Sequence, residues 1–542
     1  MKDLVVSFIR SADEDAAALP SGHGLQICEG GPRTVLIEHH TPQRLRSLLA
    51  LSLPSTGLGT SDLSSTVSSI LQYSVNTSSP GFLDKLYSSP SPPGIAAELV
   101  LASLNANSHV YTVSPAVTLV EKHVGAELAH LFGFPGPLAG GITVPGGAAA
   151  NTTALLVARN LRFPGLKENG VGSLPRPLAI FTSEAAHFSV SNAVQVLGIG
   201  TRSIRKVATT VDGAMDPLVL EAEIEAAVEQ GHIPFFVVAT AGTTVRGAYD
   251  PLSASGELAH RYGAWFHVDA CWGGAAIFSD KLKHKLSGSE LADSVAFNPH
   301  KMLGVPLTCS FLLARDLRTF WYANRLSAGY LFHGDEELAE VDSLGPMNGI
   351  SSVAKLQHTD GVDPTNASWR SSANLSHAPN PEAILDLASL TPQCGRRPDA
   401  LKLYFHWRYY GKKGMAQQVE NAFEGGRYLA SLIAKEPDLL LVSDLDAPCS
   451  QVCFYYSDSQ NASFRTSERD EARRNSQITR MIVSRLVTRG WMVDYAPGTG
   501  KEGERGEFLR VVCNRLTSKG VAKGLVRAVM DVGAGVVKEI SK

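Results

Sequence analysis

The sequence predicts an α/β protein with a mostly parallel sheet in a large domain and a smaller α+β domain after it. Between about residues 105 and 330, apolar segments such as "LAIFTS", "PFFVVATAG" and "AWFHVDA" alternate with helical segments, as they do around a parallel sheet. The chain has 542 residues, too many for one compact core, so more than one lobe is expected.

The order of the segments predicts three parts. Residues 1–104 are rich in Ser, Pro and Leu and have helical patterns at 42–53 and 95–104, so they are predicted to form an N-terminal helical segment. Residues 105–400 contain the strand and helix alternation, with helices predicted at 116–131, 188–197, 216–230 and 251–262. Within this part, 337–385 lacks any period and predicts a flexible loop insert. Residues 401–542 predict the smaller domain, with helices at 415–434 and 471–489 and strands in "SQVCFYY" and "EFLRVVCN".

Composition excludes several classes of protein. Hydrophobic residues make up 44% and charged residues 19%, and the net charge of −3 provides no basic surface for nucleic acid. No apolar run approaches the roughly 20 residues that span a bilayer, and the first residues do not resemble a signal peptide. Seven cysteines without CxxC spacing indicate reduced thiols rather than disulfides or a metal site. A cytoplasmic protein is therefore expected.

Three clusters follow predicted strands, where ligands of parallel sheets bind. In "TVPGGAAAN", Gly146 and Gly147 let backbone N–H groups approach an anion at a helix N-terminus, although a simple tight turn would have the same sequence. Asp269 ends the strand in "HVDACWGG" and needs a cation or donors, unless it caps a helix. Lys301, in "SVAFNPHKML", ends another buried strand, although a lysine extending to the surface is the commoner case.

One ligand suits all three clusters together. Pyridoxal 5′-phosphate carries a phosphate for the glycine turn, a pyridine nitrogen that Asp269 would keep protonated, and an aldehyde with which Lys301 would form an imine. The imine would explain a lysine at the end of a buried strand.

The chain resembles the group II pyridoxal-phosphate decarboxylases, in the branch of glutamate and cysteine sulfinate decarboxylases. The resemblance covers about residues 80–335 and 390–515. The matching stretches are "GGITVPGG", "FTSEAAHFSV", "ATAGTTVRGAYDP", "HVDACWGG", "FNPHKMLGVPLTCS", "SAGYLF", "QCGRR" and "FLRVV". It implies the type I aminotransferase-like fold and a homodimer with active sites at the interface. It also implies release of CO₂ from an amino acid to give the amine.

The resemblance also implies roles for single residues. His187 would stack over the pyridine ring, Thr244 would lie near it, and Ala148 would contact the phosphate. Asn298 and His300 would bind the phosphate or position the imine. The ordinary alternatives are a packed core histidine for His187 and a strand-end cap for Thr244.

On the substrate side, Arg510 would bind the substrate carboxylate with its planar guanidinium, although a strand arginine in a salt bridge is the ordinary alternative. Lys85 and His109 stand where relatives place residues near the substrate. Two basic groups there favour an acidic substrate (glutamate, aspartate or cysteine sulfinate), although two basic surface residues would look the same.

Two further departures from the family concern the ring and the loop. Cys271 stands where alanine is usual beside the ring. The segment 331–397 has no tyrosine, Leu338 standing where animal enzymes place the tyrosine that supplies the Cα proton. His300 or His333 could supply it, or oxygen could divert the reaction to an aldehyde. Decarboxylation of a non-acidic amino acid and a non-catalytic binding protein also stay open as alternatives.

Overall fold

The structure is a computed structural model that describes residues 2–17, 26–28, 31–33, 36–49, 51–325, 375, 378–446, 448–457, 468–498, 505–540 and 542. Its α-helices, in chain order, are α1 Lys2–Ala17, α2 Pro42–Leu48, α3 Gly59–Gln72, α4 Pro92–Leu104, α5 Pro115–Leu131, α6 Gly147–Arg162, α7 Leu166–Asn169, α8 Ser189–Val196, α9 Pro217–Glu229, α10 Leu252–Arg261, α11 Arg318–Asn324, α12 Ala400–Ile433, α13 Glu468–Val487 and α14 Lys519–Ile540. Its strands are β1 Gln26–Cys28, β2 Gly31–Arg33, β3 Gly140–Val144, β4 Leu178–Ser183, β5 Ile204–Val207, β6 Ile233–Thr240, β7 Trp265–Asp269, β8 Ser294–Phe297, β9 Ser310–Ala314, β10 Leu439–Leu441, β11 Gln451–Tyr456, β12 Asp494–Pro497 and β13 Glu507–Val512.

The large sheet has seven strands in the order β3-β9-β8-β7-β6-β4-β5. Strand β9 pairs antiparallel with both β3 and β8, and the remaining pairs are parallel. The predicted α/β fold with a mostly parallel sheet is therefore confirmed. Because β4, β6, β7 and β8 are parallel, their carboxyl ends lie along one edge of the sheet.

Helices cover both faces of the large sheet. In β6, Val237 and Ala239 belong to one buried cluster, while Phe236 and Val238 belong to the other. This alternation follows from the two-residue period of a strand. Since both faces are buried, strands β4, β6, β7 and β8 consist of fully buried positions, which explains why they appeared in the sequence as short apolar runs.

The smaller C-terminal domain is built on a four-stranded antiparallel sheet in the order β10-β11-β13-β12. Helices α13 and α14 pack on it through buried residues such as Ile478, Ile482, Leu525 and Val529. This matches the predicted α+β character. The helix predicted at 415–434 is longer than expected, because α12 begins at residue 400 and continues across a break at Gly411, where φ is +63°.

The N-terminal segment is helical, as predicted, but it also contains the hairpin of β1 and β2. Its last part is joined to the small sheet: the Leu83 N–H donates to the Met492 carbonyl at 2.9 Å, and the Val512 N–H donates to the Leu83 carbonyl at 2.8 Å. Helix α4 packs on α12 through Ala97 and Leu401. The boundaries between the three predicted parts stay a prediction.

The predicted loop insert spans residues 337–385, and its residues 337–374 lie outside the described part of the chain. Residues 378–385 contain two buried positions, Pro381 and Ile384. Ile384 is buried, and the Lys122 Nζ donates to the carbonyl oxygens of Pro381 at 2.7 Å and Ile384 at 2.5 Å. The flexible insert itself stays a prediction. None of the described helices combines the length and the apolar character that crossing a bilayer requires.

Candidate active site

The polar residues predicted from the sequence follow strands β3, β4, β7 and β8 at the carboxyl edge of the large sheet. Asp269 ends β7, Lys301 follows β8, His187 follows β4, and the Gly146–Gly147 turn follows β3. Lys301 lies near enough to Asp269 and His187 for its charge to act on both, and Gly147 packs against Cys271 and Asn298, which are neighbours of Asp269 and Lys301 in the sequence. The structure thus brings these predicted residues together, and their roles stay a prediction.

The Asp269 carboxylate is 6% exposed and has donors on both oxygens. Its Oδ1 accepts from the Cys271 backbone N–H at 3.1 Å, and its Oδ2 accepts from the Asn151 Nδ2 at 2.9 Å. Burial acts to raise the pKa of Asp269, but hydrogen bonding by Cys271 and the Lys301 charge outweigh it, so this pKa lies below its ordinary value. Asp269 is therefore an ionised carboxylate at neutral pH.

The first turn of α6 forms a cradle for an anion. Gly146, with φ of +104°, precedes the helix, and the first backbone N–H groups of α6 have no partner within the helix. A Cβ on Gly147 would come within 2.5 Å of the Cys271 Sγ and 2.9 Å of the Asn298 Nδ2. Ala148 is exposed on the open side of this turn. The buried Asn298 Oδ1 has no hydrogen-bond partner in the described part of the chain.

Lys301 and His187 complete the cluster. Lys301 is partly buried, and no described residue forms a hydrogen bond or an ion pair with its Nζ. The His187 Nδ1 accepts from the Ser189 N–H at 3.2 Å. Burial lowers the pKa of His187, the Asp269 charge acts against this, and the Lys301 charge adds to it. A neutral imidazole can lie against an aromatic ring without the desolvation cost of a charge.

His300 is unsuited to deliver a proton as an imidazolium. It is 7% exposed, and its Nδ1 lies 2.8 Å from the Cys309 carbonyl oxygen. Burial lowers its pKa to about 4, so the ring is neutral at pH 7. The other residue considered for this role, His333, lies outside the described residues, as does Leu338.

Arg510 lies where the small domain meets the carboxyl edge of the large sheet. The Arg510 Nη1 donates to the Thr244 carbonyl at 3.1 Å, and the Nη2 donates to the Asp84 carbonyl at 3.0 Å and to Asp494 Oδ2 at 2.5 Å. The Lys85 Nζ donates to the same Asp494 oxygen at 2.8 Å. The structure therefore brings Lys85 and Arg510 together and adds a carboxylate between them. The buried Arg510 Nε has no partner among the described residues.

His109 is not brought to this cluster by any contact in the described part of the single chain. Its Nδ1 lies 3.1 Å from the Asn107 carbonyl oxygen, and its own carbonyl accepts from the Ala388 N–H at 2.9 Å. Its predicted place beside the substrate stays a prediction.

Three polar residues of the site were missed from the sequence. Asn151 lies one turn into α6 after the glycine pair, His267 precedes Asp269 by two residues on the same face of β7, and Asp494 is the register partner of Arg510. His267 could have been found from the sequence, because a histidine two residues before an aspartate in a buried strand lies on the same face of the sheet. No sequence signal indicated Asp494, because the pairing of two strands cannot be recognised from the local sequence of either one.

The residues present fit pyridoxal 5′-phosphate. The first turn of α6 offers backbone N–H groups to a phosphate, Asp269 is an ionised partner for a protonated pyridine nitrogen, and the Lys301 Nζ has no hydrogen-bond or ion-pair partner among the described residues. An α/β fold with these groups at one edge defines a pyridoxal-phosphate enzyme.

The sequence profile of the pyridoxal-dependent decarboxylase conserved domain matches residues 42–343 and 370–457, and the chain belongs to this family. It is 47% identical over 504 residues to a glutamate decarboxylase-like protein of Gibberella zeae, with 93% of each chain covered. It is 41% identical to an L-aspartate decarboxylase of Metarhizium robertsii, over 99% of this chain and 96% of that one. The crystal structure of mouse CSAD matches with a TM-score of 0.79 and 31% identity, over 98% of each chain. The protein is a pyridoxal-phosphate-dependent amino-acid decarboxylase.

Replacing Gly147 by alanine should weaken binding of pyridoxal phosphate at least about tenfold, because the new Cβ would displace Cys271 and Asn298 from the cradle. The dissociation constant can be measured by fluorescence quenching. Gly172→Ala is the control, since its Cβ would meet nothing within 4 Å. An affinity of Gly147→Ala within twofold of the wild type would contradict this assignment of the cradle.

Proposed function

We propose that the protein removes the α-carboxylate of an acidic amino acid as CO₂ and releases the amine. The candidate substrates are glutamate, aspartate and cysteine sulfinate. The observation that carries the proposal is the pair of cations, Arg510 and Lys85, on the two sides of Asp494 at the domain junction. The relatives named above for aspartate and glutamate chemistry support it.

Each residue of the site would have a defined task. Lys301 would hold the aldehyde of pyridoxal 5′-phosphate until a substrate amine replaces it, and the cofactor would supply the electron sink for the pair released when the Cα–carboxylate bond breaks. The ionised Asp269 would hold the proton on the ring nitrogen. The first turn of α6, with Asn298, would bind the phosphate, and the neutral His187 would cover the ring and exclude water.

The substrate would compete with Asp494. Two of the three Arg510 nitrogens already donate to backbone carbonyls, and Asp494 accepts from Nη2 and from Lys85. A substrate carboxylate can therefore bind side-on to Nε, which has no partner in the described part of the chain, and to Nη2 only by replacing Asp494 on Nη2. An acidic substrate would exchange one carboxylate for another, which keeps the local charge constant.

A second candidate is decarboxylation followed by oxidative deamination to an aldehyde. It is favoured by the absence of tyrosine from 331–397, together with a neutral His300. In that case the group that normally returns a proton to Cα would be missing, and oxygen would take its place as the reactant.

Mass analysis of the products distinguishes these reactions. The purified enzyme with pyridoxal phosphate is given L-glutamate, L-aspartate, cysteine sulfinate, 2,4-diaminobutyrate and an aromatic amino acid. We expect stoichiometric amine from an acidic substrate and none from Lys301→Ala. Aldehyde with hydrogen peroxide would instead establish the second candidate. Amine from the aromatic or the basic amino acid alone would contradict acidic specificity.

Two substitutions, one that removes a cation and one that removes a carboxylate, test the charges proposed to bind the substrate. Lys85→Met should raise KM for the acidic substrate about three- to tenfold, because it removes a partly exposed cation, whereas Asp494→Asn should lower KM because it removes the competing carboxylate. Steady-state kinetics measures both. Lys283→Met, which removes an exposed cation paired with the surface carboxylate of Asp280, should leave KM unchanged. Shifts of the same sign in the two variants would contradict this arrangement.

We also propose a homodimer located in the cytoplasm. Helices α4 and α5 pack against α12, and these three elements expose Leu99, Leu119 and Tyr409 at 68%, 50% and 72%. No disulfide joins the six cysteines whose side chains the structure describes, Cys271, Cys309, Cys394, Cys449, Cys453 and Cys513, which suits a reducing compartment. Sedimentation should show a dimer that Leu99→Glu weakens and that Leu218→Glu, an exposed position on α9, does not. A monomeric wild type, or recovery in a membrane fraction, would contradict these proposals.

A further inference from the structure

A chain of buried hydrogen bonds runs through the large sheet to Asp269. The Trp265 Nε1 donates to the Ser294 Oγ at 2.9 Å, and this oxygen lies 2.8 Å from the His267 Nδ1. The His267 Nε2 lies 3.0 Å from the Asn151 Oδ1, and the Asn151 Nδ2 donates to Asp269 at 2.9 Å. Each of the five residues is at most 6% exposed.

The direction of every bond in this chain is determined. The ionised Asp269 carboxylate can only accept, so the Asn151 Nδ2 donates to it and the Asn151 Oδ1 faces the His267 Nε2. Burial lowers the pKa of His267 to about 4, so its ring is neutral, and its single proton lies on Nε2, where the Asn151 Oδ1 accepts it. The His267 Nδ1 is then an acceptor, so the Ser294 hydroxyl donates to it while its oxygen accepts from the Trp265 indole N–H.

The same orientation turns both amide hydrogens of Asn151 toward the cofactor site. One is donated to the Asp269 Oδ2 at 2.9 Å and the other to the Ser189 Oγ at 2.8 Å. Ser189 in turn donates its backbone N–H to the His187 Nδ1. Asn151 therefore connects the carboxylate with the segment that carries His187. The reversed amide would place its carbonyl oxygen against the carboxylate.

We propose that Asn151 and His267 are positioning residues that hold the Asp269 carboxylate, and through it the ring nitrogen of pyridoxal phosphate. Neither residue contacts the reacting atoms. Asn151 fixes one carboxylate oxygen by a charge-assisted hydrogen bond, and His267 fixes Asn151. The inference adds two positioning residues to the proposed function, and it rests on the assignment of Asp269 to the ring nitrogen in that proposal.

The test compares binding of two cofactors that differ only at the ring nitrogen. Pyridoxal phosphate and its analogue with CH in place of that nitrogen have the same aldehyde and phosphate. The ratio of their dissociation constants therefore reports the contact with Asp269 and cancels general damage to the site. The wild type should prefer pyridoxal phosphate, and Asp269→Ala should bring the ratio close to one.

The positioning variants should lose part of this preference. Asn151→Leu should lower the ratio about tenfold, as expected for one hydrogen bond to a charged group, and His267→Leu should lower it several-fold. His267→Gln should restore much of the ratio, because its amide can present an N–H near the place of Nε2. Ser294→Ala, which removes only a hydroxyl, gives a milder variant should the others fail to fold.

The matched control is Asn160→Leu. Asn160 is another buried asparagine of α6, and its Nδ2 donates to the Ala323 carbonyl at 3.0 Å, away from the cluster. Its ratio should equal that of the wild type. If Asn151→Leu and Ser294→Ala keep the wild-type ratio while Asp269→Ala loses it, the positioning role is overturned. If the wild type has no preference, the assignment of Asp269 itself is wrong, whatever product the enzyme forms.

Discussion

A buried carboxylate that stays ionised is the interaction on which this site depends. An isolated charge in the place of Asp269 would be costly, and the protein offsets that cost with two N–H donors and a nearby ammonium. These come from three elements: Asn151 from α6, Cys271 from the turn after β7, and Lys301 from the turn after β8. Their convergence requires α6 to pack closely on the sheet edge. Gly147 permits this approach, since a Cβ there would strike Cys271.

The second constraint lies between the two domains. Arg510 belongs to a strand of the small sheet, yet it donates to the carbonyl of Thr244 in the large domain and to that of Asp84 in the N-terminal segment. One guanidinium therefore connects three parts of the chain. A substrate bound at Arg510 would contact all three, and any movement of the small domain would change the position of the substrate relative to Lys301.

Most of the large sheet could be predicted, because strands buried on both faces are continuous apolar runs. Two strands could not be. Strand β5 has the sequence "IRKV" and lies at the sheet edge, where only one neighbour pairs with it and polar residues are tolerated. Strand β9 follows a proline-containing turn and runs antiparallel, which breaks the strand and helix alternation. In the site, motif residues were predicted, whereas Asn151 inside a helix and Asp494 on a neighbouring strand were not.

The sequence by itself determined the class of fold, the cofactor chemistry and the residues at the strand ends. The two-residue period of strands and the helical period locate the end of each strand in the sequence, so the lysine, the aspartate and the glycine pair that stand there could be identified. Only the tertiary structure decided which groups form hydrogen bonds and ion pairs with these residues. The pairing of Asp494 with Arg510 and Lys85, and the directed chain from Trp265 to Asp269, join residues far apart along the chain. The reason is physical: a buried hydrogen bond is set by distance and direction in the packed protein, and local periodicity carries information about neither.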